Sequence, residues 1–255
     1  MIDIHIHILP GLDDGAESWE EALEMAELTV ESGVRVIAAT PHANLPGQTK
    51  DMEADVCQER LEAFRRLLKK EKIPLTVCRG MELFCSENLP ERLKKKRLWT
   101  LNGTRYCLVE FGLDTEAYPV YQMIIRLQGM GFWPVIAHPE RYQCIQRVTA
   151  HAYEWYQMGA VLQINQGSLL GRFGSAAEKA ARLLLYHRLA GVAASDAHGT
   201  YIRAPRLFQL REILADEYGK DCPGLLLREN PARILQGKPV FRRTPVPFEY
   251  SGFSQ

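Results

Sequence analysis

The sequence predicts a single-domain α/β fold in which helices cover a parallel sheet. Short apolar runs alternate with amphipathic stretches along the 255-residue chain, which is the pattern of repeated strand–helix units. Seven such units over about 235 residues fit a closed or nearly closed barrel better than two domains. An open, doubly wound sheet is the alternative arrangement of the same elements.

The first strand–helix–strand unit shows the local patterns on which this prediction depends. Residues 1–5 predict a strand. Ser18, followed three residues later by Glu21, forms a capping box that begins a helix, and Gly33 ends it. The unbroken apolar run 34–39 predicts a buried parallel strand.

The remaining chain repeats this alternation and ends in a segment of different composition. Further strands are predicted over 75–80, 106–110, 133–137, 161–164 and 189–194. Helices are predicted over 51–70, 118–128, 150–158, 175–187 and 205–218. Residues 238–255 are rich in proline and aromatic residues, so we expect an extended tail that packs on a neighbour or stays mobile, beside a domain of residues 1–237.

The composition disfavours several classes of function. Lys plus Arg and Asp plus Glu both number 31, so the chain lacks the excess basic charge of a nucleic-acid binder. The apolar runs are far shorter than the roughly 18 residues of a membrane span, and no signal-peptide pattern opens the chain. The six cysteines form no CxxC pair, which indicates reduced thiols and a cytoplasmic protein.

Polar residues gather where the predicted strands end. Five of the seven histidines lie there, and the carboxyl ends of parallel strands meet at one rim. His5 and His7, two residues apart in a strand, share one face. Nine candidate ligands are His5, His7, Asp14, His42, Glu82, Glu110, His138, Asp196 and His198. Imidazole and carboxylate ligands suit Zn, Mn or Fe, and nine ligands are enough for two or three ions.

Two arginines follow the ligand clusters directly. Arg141 comes after the sequence HPE, and Arg203 lies shortly after His198. The planar guanidinium of arginine can bind two phosphate oxygens at once. The alternative for each arginine is that it is an ordinary residue of a surface loop. The spacing from Cys222 to Arg228 also fits the Cys-x5-Arg loop of thiol phosphatases, but three successive leucines predict a buried helical turn there instead of an anion-binding loop.

These motifs resemble a known superfamily. The opening DIHIH with the later DDG is similar to the polymerase-and-histidinol-phosphatase (PHP) superfamily. The segments ATPH (39–42), LVEF (108–111), PVIAHPERY (134–142) and ASDAH (194–198) resemble, in the same order, the manganese-dependent protein-tyrosine phosphatases of bacterial capsule and exopolysaccharide operons. The resemblance runs from residue 1 to about residue 235.

The resemblance implies a distorted seven-stranded, TIM-like barrel with three divalent metal ions at its carboxyl rim, manganese first and iron or zinc as alternatives. It groups the ligands as His5, His7, Glu82 and Asp196; Asp14, His42 and His198; and Glu82, Glu110 and His138, with Glu82 bridging. Arg141 and Arg203 match the family's phosphate-binding arginines. Asn165 and Glu140 have no assigned role beyond orienting a ligand.

The resemblance also implies a substrate, the phosphotyrosine tail of a bacterial tyrosine kinase that regulates polysaccharide synthesis, attacked by a metal-activated hydroxide. A histidinol-phosphatase type of small-molecule enzyme is the alternative, and loops 44–51 and 84–99 would decide between them.

A nuclease is disfavoured because 94–97 is one short basic patch. An amidohydrolase is disfavoured because Glu82 and Glu110 stand where a metal-bridging lysine is usual. A non-catalytic kinase-binding module is disfavoured because buried charged ligands are costly without ions. The oligomeric state is left open.

Overall fold

The computed structural model describes residues 1–46 and 54–248. Within these ranges, nine strands alternate with helices. The strands are β1 (Ile2–Ile6), β2 (Val36–Ala39), β3 (His42–Ala43), β4 (Thr76–Arg79), β5 (Glu82–Phe84), β6 (Tyr106–Glu110), β7 (Trp133–Ala137), β8 (Val161–Asn165) and β9 (Ala190–Ala194). All the ladders between them are parallel. The predicted α/β class with a parallel sheet is therefore confirmed.

Helices connect the strands, as a parallel arrangement requires. They are α1 (Trp19–Glu31), α2 (Ala54–Lys70), α3 (Leu89–Lys94), α4 (Ala117–Gly129), α5 (Gln143–Arg147), α6 (Ala150–Gln157), α7 (Gln166–Leu169), α8 (Ser175–Tyr186), α9 (Leu207–Tyr218), α10 (Cys222–Gly224) and α11 (Asn230–Leu235). The predicted N-cap of α1 is present, because Glu21 N donates to Ser18 Oγ at 3.1 Å, whereas the Glu21 side chain accepts from Glu17 N at 2.9 Å instead of from Ser18 N. No helix of the described chain is long and apolar enough to cross a membrane.

The strands lie in two sheets, with the orders β1-β2-β4 and β3-β5-β6-β7-β8-β9. The strands predicted over 34–39 and 75–80 are β2 and β4. After each of them the strand pairing breaks for two residues, at Thr40–Pro41 and at Gly80–Met81, and the chain then forms the short strands β3 and β5, which the sequence does not predict. Proline offers no N–H to a ladder. The two breaks lie side by side, because a Cβ on Gly80 would be 3.0 Å from Thr40 Cγ2.

The first and last strands meet just beyond their ends. Asp196 N donates to His5 O and His7 N donates to Ala197 O, both at 2.9 Å. These bonds bring the carboxyl ends of β1 and β9 together. Apolar side chains of strands and helices form the core beneath this rim, and Ile234 and Leu235 of α11 complete a smaller apolar cluster with strand residues such as Ile4 and Val192.

Most predicted boundaries lie within three residues of the observed ones. The predicted helix 51–70 is described from Ala54, and its first three residues lie outside the described part. Loop 44–51 is described only to Pro46, whereas loop 84–99 contains the short helix α3. The basic patch 94–97 is an exposed helix end, as expected.

Two further expectations concern the carboxyl-terminal region. Residues 222–229 are helical, with Leu226 and Leu227 buried, so the predicted buried turn is confirmed. Residues 238–248 contain no helix or strand and pack on the chain's own body: Tyr106 donates its hydroxyl to Lys238 O, and Val246 N donates to His187 O. The end of the predicted tail, 249–255, lies outside the described residues.

Candidate metal centre

The imidazole rings of His5, in β1, and His7, which directly follows β1, each direct one nitrogen at the other. His7 Nδ1 lies 2.7 Å from Asp13 Oδ2, and His5 Nδ1 lies 2.9 Å from Gln163 Oε1. Because a carboxylate can only accept a hydrogen bond, neutral His7 carries its proton on Nδ1 and has its lone pair on Nε2. The two Nε2 atoms are 3.2 Å apart. Such a close pair needs a proton or a cation between its members.

Two carboxylates complete this first group. Glu82 Oε2 lies 3.1 Å from His5 Nε2 and 3.2 Å from His7 Nε2. Asp196 Oδ1 lies 3.3 Å and 3.5 Å from the same two nitrogens. All four residues are buried, and their ligand atoms, one from each residue, all lie within 4.8 Å of one another. The four residues that the sequence groups together therefore do converge.

A second group of ligand atoms opens toward solvent. Asp14 Oδ1 lies 3.4 Å from both His42 Nε2 and His198 Nε2, and its side chain is 66% exposed. The Nδ1–H of His198 faces the backbone oxygen of Asp196 at 3.0 Å, which leaves its Nε2 free as a ligand. His7 also comes within ligand distance of this group. The structure thus adds His7 to the three residues that the sequence grouped.

The third group surrounds Glu82 and Glu110. His42 Nδ1 lies 2.9 Å from Glu110 Oε1 and 3.2 Å from Glu82 Oε2. His138 Nε2 lies 2.9 Å from Glu82 Oε1 but 3.9 Å from Glu110 Oε2. The tightest trio is therefore His42, Glu82 and Glu110, with His138 at its edge. This differs from the grouping drawn from the sequence, although all nine residues lie at one rim.

The buried charges of the first group stabilise one another. Burial alone would lower the pKa of His7, yet the Asp13 charge beside it raises that pKa to about 9. Burial would raise the pKa of Glu82, but His5 and further histidine contacts hold it well below the usual range. Burial would likewise raise the pKa of Asp196, but the neighbouring positive charges, His5 first among them, lower it to about 2. Protons held here compete directly with a metal ion.

The second group shows a similar balance. Burial would lower the pKa of His42, but hydrogen bonds to Asp14 and Glu110 raise it to about 11. The pKa of Asp14 is lowered, chiefly by its contacts with His198 and His42. His198 differs, because burial and the neighbouring His7 lower its pKa. A neutral His198 is already in the form that binds a metal.

Several ligand atoms are buried without a well-directed hydrogen bond, although they face each other closely. These atoms are Glu82 Oε2, Asp196 Oδ1, Glu110 Oε1 and His42 Nδ1. Buried polar atoms normally find a partner, and atoms aimed at a shared centre instead of at one another are typical of metal ligands. The histidine and carboxylate donors suit Mn, Fe or Zn. The residues present therefore fit divalent cations.

The backbone holds several ligands in place. A Cβ on Gly15 would lie 2.1 Å from His7 O, so the loop that carries Asp14 folds directly onto β1. His138 and Asp196, immediately beyond their strands, have φ values of 32° and 51°. Such left-handed conformations are uncommon outside glycine and recur at functional sites. They turn both side chains inward at the rim.

The two candidate phosphate-binding arginines share one acceptor. Arg203 Nη2 lies 2.7 Å and Arg141 Nη1 3.5 Å from Asp196 Oδ2, and Asn165 Nδ2 donates to the same oxygen. Asp196 therefore directs Oδ1 toward the histidines and Oδ2 toward the arginines. Both arginine side chains are partly exposed, 20% for Arg141 and 26% for Arg203. The structure places them beside the ligands and within reach of solvent.

Several supporting residues have no assigned role in the sequence analysis. Asp13 orients His7, accepts from His42 N at 2.8 Å, and accepts from Gly15 N at 3.0 Å. Its position beside Asp14 is a sequence signal for this role. Gln163 gives no such signal, because it lies in the middle of a strand far along the chain from His5. Asn165, suggested as an orienting residue, does contact Asp196, and its N–H donates to Glu140 Oε1 at 2.9 Å.

The fold and the site together define a parallel α/β protein with a histidine–carboxylate centre suited to divalent metal ions. Residues 1–236 match the family model described as "Capsular polysaccharide synthesis, CpsB/CapC", so the chain belongs to the CpsB/CapC family. The family resemblance drawn from the sequence motifs is thereby confirmed.

Curated relatives match over nearly their whole length. The tyrosine-protein phosphatase YwqE of Bacillus subtilis is 38% identical over 247 residues, covering 97% of this chain and 96% of the relative. The tyrosine-protein phosphatase CpsB of Streptococcus agalactiae is 32% identical over 245 residues, covering 92% and 98%. The putative tyrosine-protein phosphatase CapC of Staphylococcus aureus is 34% identical over 250 residues, covering 96% and 95%.

Solved structures agree with this placement. A structure from work on YwqE of Bacillus subtilis and CpsB of Streptococcus pneumoniae, described as unique metal-dependent tyrosine phosphatases, has a TM-score of 0.91 and 36% identity, and the match covers 98% of this chain and 100% of that one. A β-aspartyl dipeptidase from Fervidobacterium islandicum, at 13% identity, has a TM-score of 0.51 over 96% of this chain and 78% of its own. The second likeness concerns the fold alone.

Proposed function

We propose that this protein is a metal-dependent protein-tyrosine phosphatase that acts in capsule or exopolysaccharide synthesis. The observation that carries the proposal is the approach of His5 Nε2 and His7 Nε2 to within 3.2 Å of each other, with Glu82 and Asp196 beside them. The activity named for relatives at 32–38% identity supports the reaction.

The proposed ligands are the nine residues at the rim, and the proposed load is three divalent ions, with manganese first and iron or zinc as alternatives. The ligands are His5, His7, Asp14, His42, Glu82, Glu110, His138, Asp196 and His198. Bound ions of this kind supply Lewis acidity and lower the pKa of water. The chain's own contribution is to orient the ligands, as Asp13 does for His7.

Arg141 and Arg203 are proposed to bind the phosphoryl group of the substrate. A guanidinium fork holds two phosphate oxygens at once, and its fixed charge stabilises the charge on the equatorial oxygens during transfer. In the described structure both groups are directed at one oxygen of Asp196, so substrate oxygens would replace that carboxylate as their acceptor. The partial exposure of both arginines supports access by a bulky substrate.

The proposed substrate is phosphotyrosine in the flexible tail of a bacterial tyrosine kinase. Tyrosine is a good leaving group, because its pKa of about 10 lies well below that of an alcohol. The exposure of Asp14 at the rim supports an opening wide enough for a polypeptide segment. A cytoplasmic location agrees with the six free cysteines.

We also propose two finer features of the fold. The hydrogen bonds between the ends of β1 and β9 support closure of the sheet into a distorted seven-stranded, TIM-like barrel of the PHP type. The match of the family model to residues 1–236 supports a catalytic domain of residues 1–237 followed by a tail of residues 238–255.

The test is phosphate release from a phosphotyrosine peptide and from histidinol phosphate, measured side by side with manganese and with a chelator. We expect manganese-dependent turnover that favours the peptide. Asp196→Ala should lose more than about a hundredfold, because loss of outer partners alone costs 10–100-fold, whereas the exposed Asp216→Ala should not. A preference for histidinol phosphate would contradict the substrate class, and full activity of Asp196→Ala would contradict the site.

A further inference from the structure

One aromatic ring lies against both arginines of the site. Phe173, in the loop between α7 and α8, has its ring centroid 4.3 Å from Arg141 Cζ and 5.8 Å from Arg203 Cζ. Both distances fall within the range in which a guanidinium is attracted to an aromatic face. The arginines come from loops after different strands, β7 and β9, and this ring contacts both of them, as the carboxylate of Asp196 does.

The position of this ring is built into the backbone. A Cβ on Gly167 would lie 2.6 Å from Phe173 Cε2, so the ring packs directly on the glycine. Gly167 N donates to Asn165 Oδ1 at 2.8 Å, and Asn165 Nδ2 donates to Asp196. Arg172 N donates to Gly167 O at 2.9 Å and closes the turn before Phe173. The ring is therefore tied to the same residue, Asp196, that the arginines contact.

The adjoining loop is tied to the same place. Arg172 Nη1 donates to Ile202 O at 2.7 Å, one residue before Arg203. His198 N donates to Arg203 O at 3.0 Å, which closes the loop between a proposed metal ligand and a proposed phosphate-binding arginine. The loops that carry Phe173 and Arg203 are thus joined by the hydrogen bond from the Arg172 side chain to the backbone oxygen of Ile202.

The ring is the main support that Arg141 has in this position. Its 3.5 Å approach to Asp196 Oδ2 is at the long limit for a hydrogen bond, whereas its 4.3 Å approach to the ring is close. Two guanidinium groups at one carboxylate oxygen also repel each other. The negative face of an aromatic ring offsets that repulsion, and stacking fixes the plane of a guanidinium.

We infer that Phe173 is a positioning residue that holds Arg141 and Arg203 together, oriented to bind one phosphoryl group. The inference rests on the proposed function, since it takes the phosphoryl group to bind at these arginines. Preorganised groups lose less conformational entropy on binding, so the ring raises the affinity for phosphate without touching it. The effect should appear in phosphate binding and not in metal binding.

The test uses the manganese-loaded protein with inorganic phosphate as the probe. Phe173→Leu should weaken phosphate binding, measured by calorimetry, about tenfold, a loss between those of an exposed and a desolvated cation–π contact. The manganese content should be unchanged. Gly167→Ala, which displaces the ring without removing it, should weaken binding in the same direction. The half-exposed Phe208→Leu is the matched control and should leave phosphate affinity unaltered.

A second measurement separates an electrostatic role from simple packing. Replacement of Phe173 by a trifluorinated phenylalanine keeps the shape of the ring but weakens the negative charge of its face, so phosphate affinity should fall while the melting temperature stays constant. Unchanged phosphate affinity in both Phe173→Leu and the fluorinated protein would overturn the inference. If the wild-type protein released no phosphate from phosphotyrosine, the proposed function would fail, and the phosphate affinities would still decide the role of Phe173.

Discussion

Asp13 shows how one carboxylate determines what a neighbouring histidine can do. Its Oδ2 fixes the proton of His7 on Nδ1 and leaves Nε2 to face the centre. Asp13→Asn can present an amide N–H instead, which favours the opposite tautomer. We expect manganese affinity to fall 10–100-fold, the usual cost of losing such a partner. Titration calorimetry of the metal-free protein measures this directly.

The matched control is Asp216→Asn, because Asp216 is exposed on α9 and outside the rim. Its manganese affinity should equal that of the wild type. Wild-type affinity in Asp13→Asn as well would mean that the tautomer of His7 is fixed by something else.

The raised pKa of His7 predicts a pH dependence of metal binding. With a pKa of about 9 in the metal-free protein, His7 carries a proton throughout the neutral range, and a metal must displace that proton. Asp196, whose pKa is about 2, is already ionised and contributes no proton above pH 5 or so. Manganese affinity should therefore rise with pH up to about pH 9 as His7 loses its proton, and it should go on rising toward pH 11 because His42 has a pKa of about 11.

Calorimetry in buffers of different ionisation enthalpy measures the protons released on manganese binding. We expect net proton release at neutral pH, with the share from His7 declining above about pH 9 and the share from His42 persisting to about pH 11. Manganese binding without proton release at neutral pH would show that both histidines are neutral before the metal arrives.

Cys222 is predicted to be dispensable for turnover. The thiol is buried in a helical turn, burial raises its pKa, and its neighbour Arg243 only partly offsets that effect. A protonated, inaccessible thiol is a poor nucleophile. Cys222→Ser should keep full phosphatase activity, and iodoacetamide should not inhibit the wild type. A large loss in either assay would restore the thiol mechanism.

At the scale of single elements, the loop after β1 depends on close packing at one glycine. Any side chain at Gly15 would overlap His7 O and His7 Cβ, so Gly15→Ala must displace the loop that carries Asp13 and Asp14. We expect a lower melting temperature and weakened manganese binding. Gly129→Ala is the control, since nothing lies within 4 Å of its added Cβ and it ends α4. This change should be neutral or stabilise by about 0.5–1 kcal/mol.

The elements themselves could be predicted because their signals are local. The capping box of Ser18 and Glu21 and the apolar run before Thr40 act within one or two turns of chain. The short strands β3 and β5 beyond the breaks at Thr40–Pro41 and Gly80–Met81 could not, because they pair with each other across a long stretch of chain. Backbone geometry of that kind is set by tertiary packing, which a local pattern does not encode.

The candidate site divides in the same way. Its ligands could be predicted because each lies at or near the end of a predicted strand, and parallel strands end at one rim. Gln163 and Phe173 could not, because their partners are far away in sequence and no local pattern marks either residue. The family resemblance places His42 in one group, but its two ring nitrogens face two groups of ligands. Only the folded geometry shows that second contact.

At the scale of the whole molecule, the candidate metal ligands and the contacts of the tail lie at opposite ends of the strands. The candidate ligands lie at or near the carboxyl ends. The tail contacts residues at or before the amino ends: Tyr106 begins β6 and His187 precedes β9. Phe248 stacks on His187 with centroids 3.7 Å apart. Changes at one edge should therefore leave the other largely unaffected.

Removal of residues 238–255 tests this separation. The described part of the tail makes several hydrogen bonds with the body, including Phe241 N to Asn230 Oδ1 at 2.7 Å and Tyr156 Oη to Arg243 O at 2.7 Å. At about 0.5–1.5 kcal/mol for each bond and roughly 2–4 °C for each kcal/mol, the melting temperature should fall by about 5–15 °C. Manganese affinity and kcat, measured well below that temperature, should stay at the wild-type level.

Tyr106→Phe provides a smaller version of the same change in the full-length chain. The Tyr106 hydroxyl donates to Lys238 O at 3.0 Å and accepts from Val240 N at 3.2 Å. Loss of this hydroxyl should therefore lower the melting temperature by a few degrees and leave kcat unchanged. A drop in kcat in both variants at equal manganese content would show that the tail acts on the catalytic rim through the sheet. Stability and turnover that change separately would instead confirm that the amino edge holds the fold while the carboxyl edge carries the reaction.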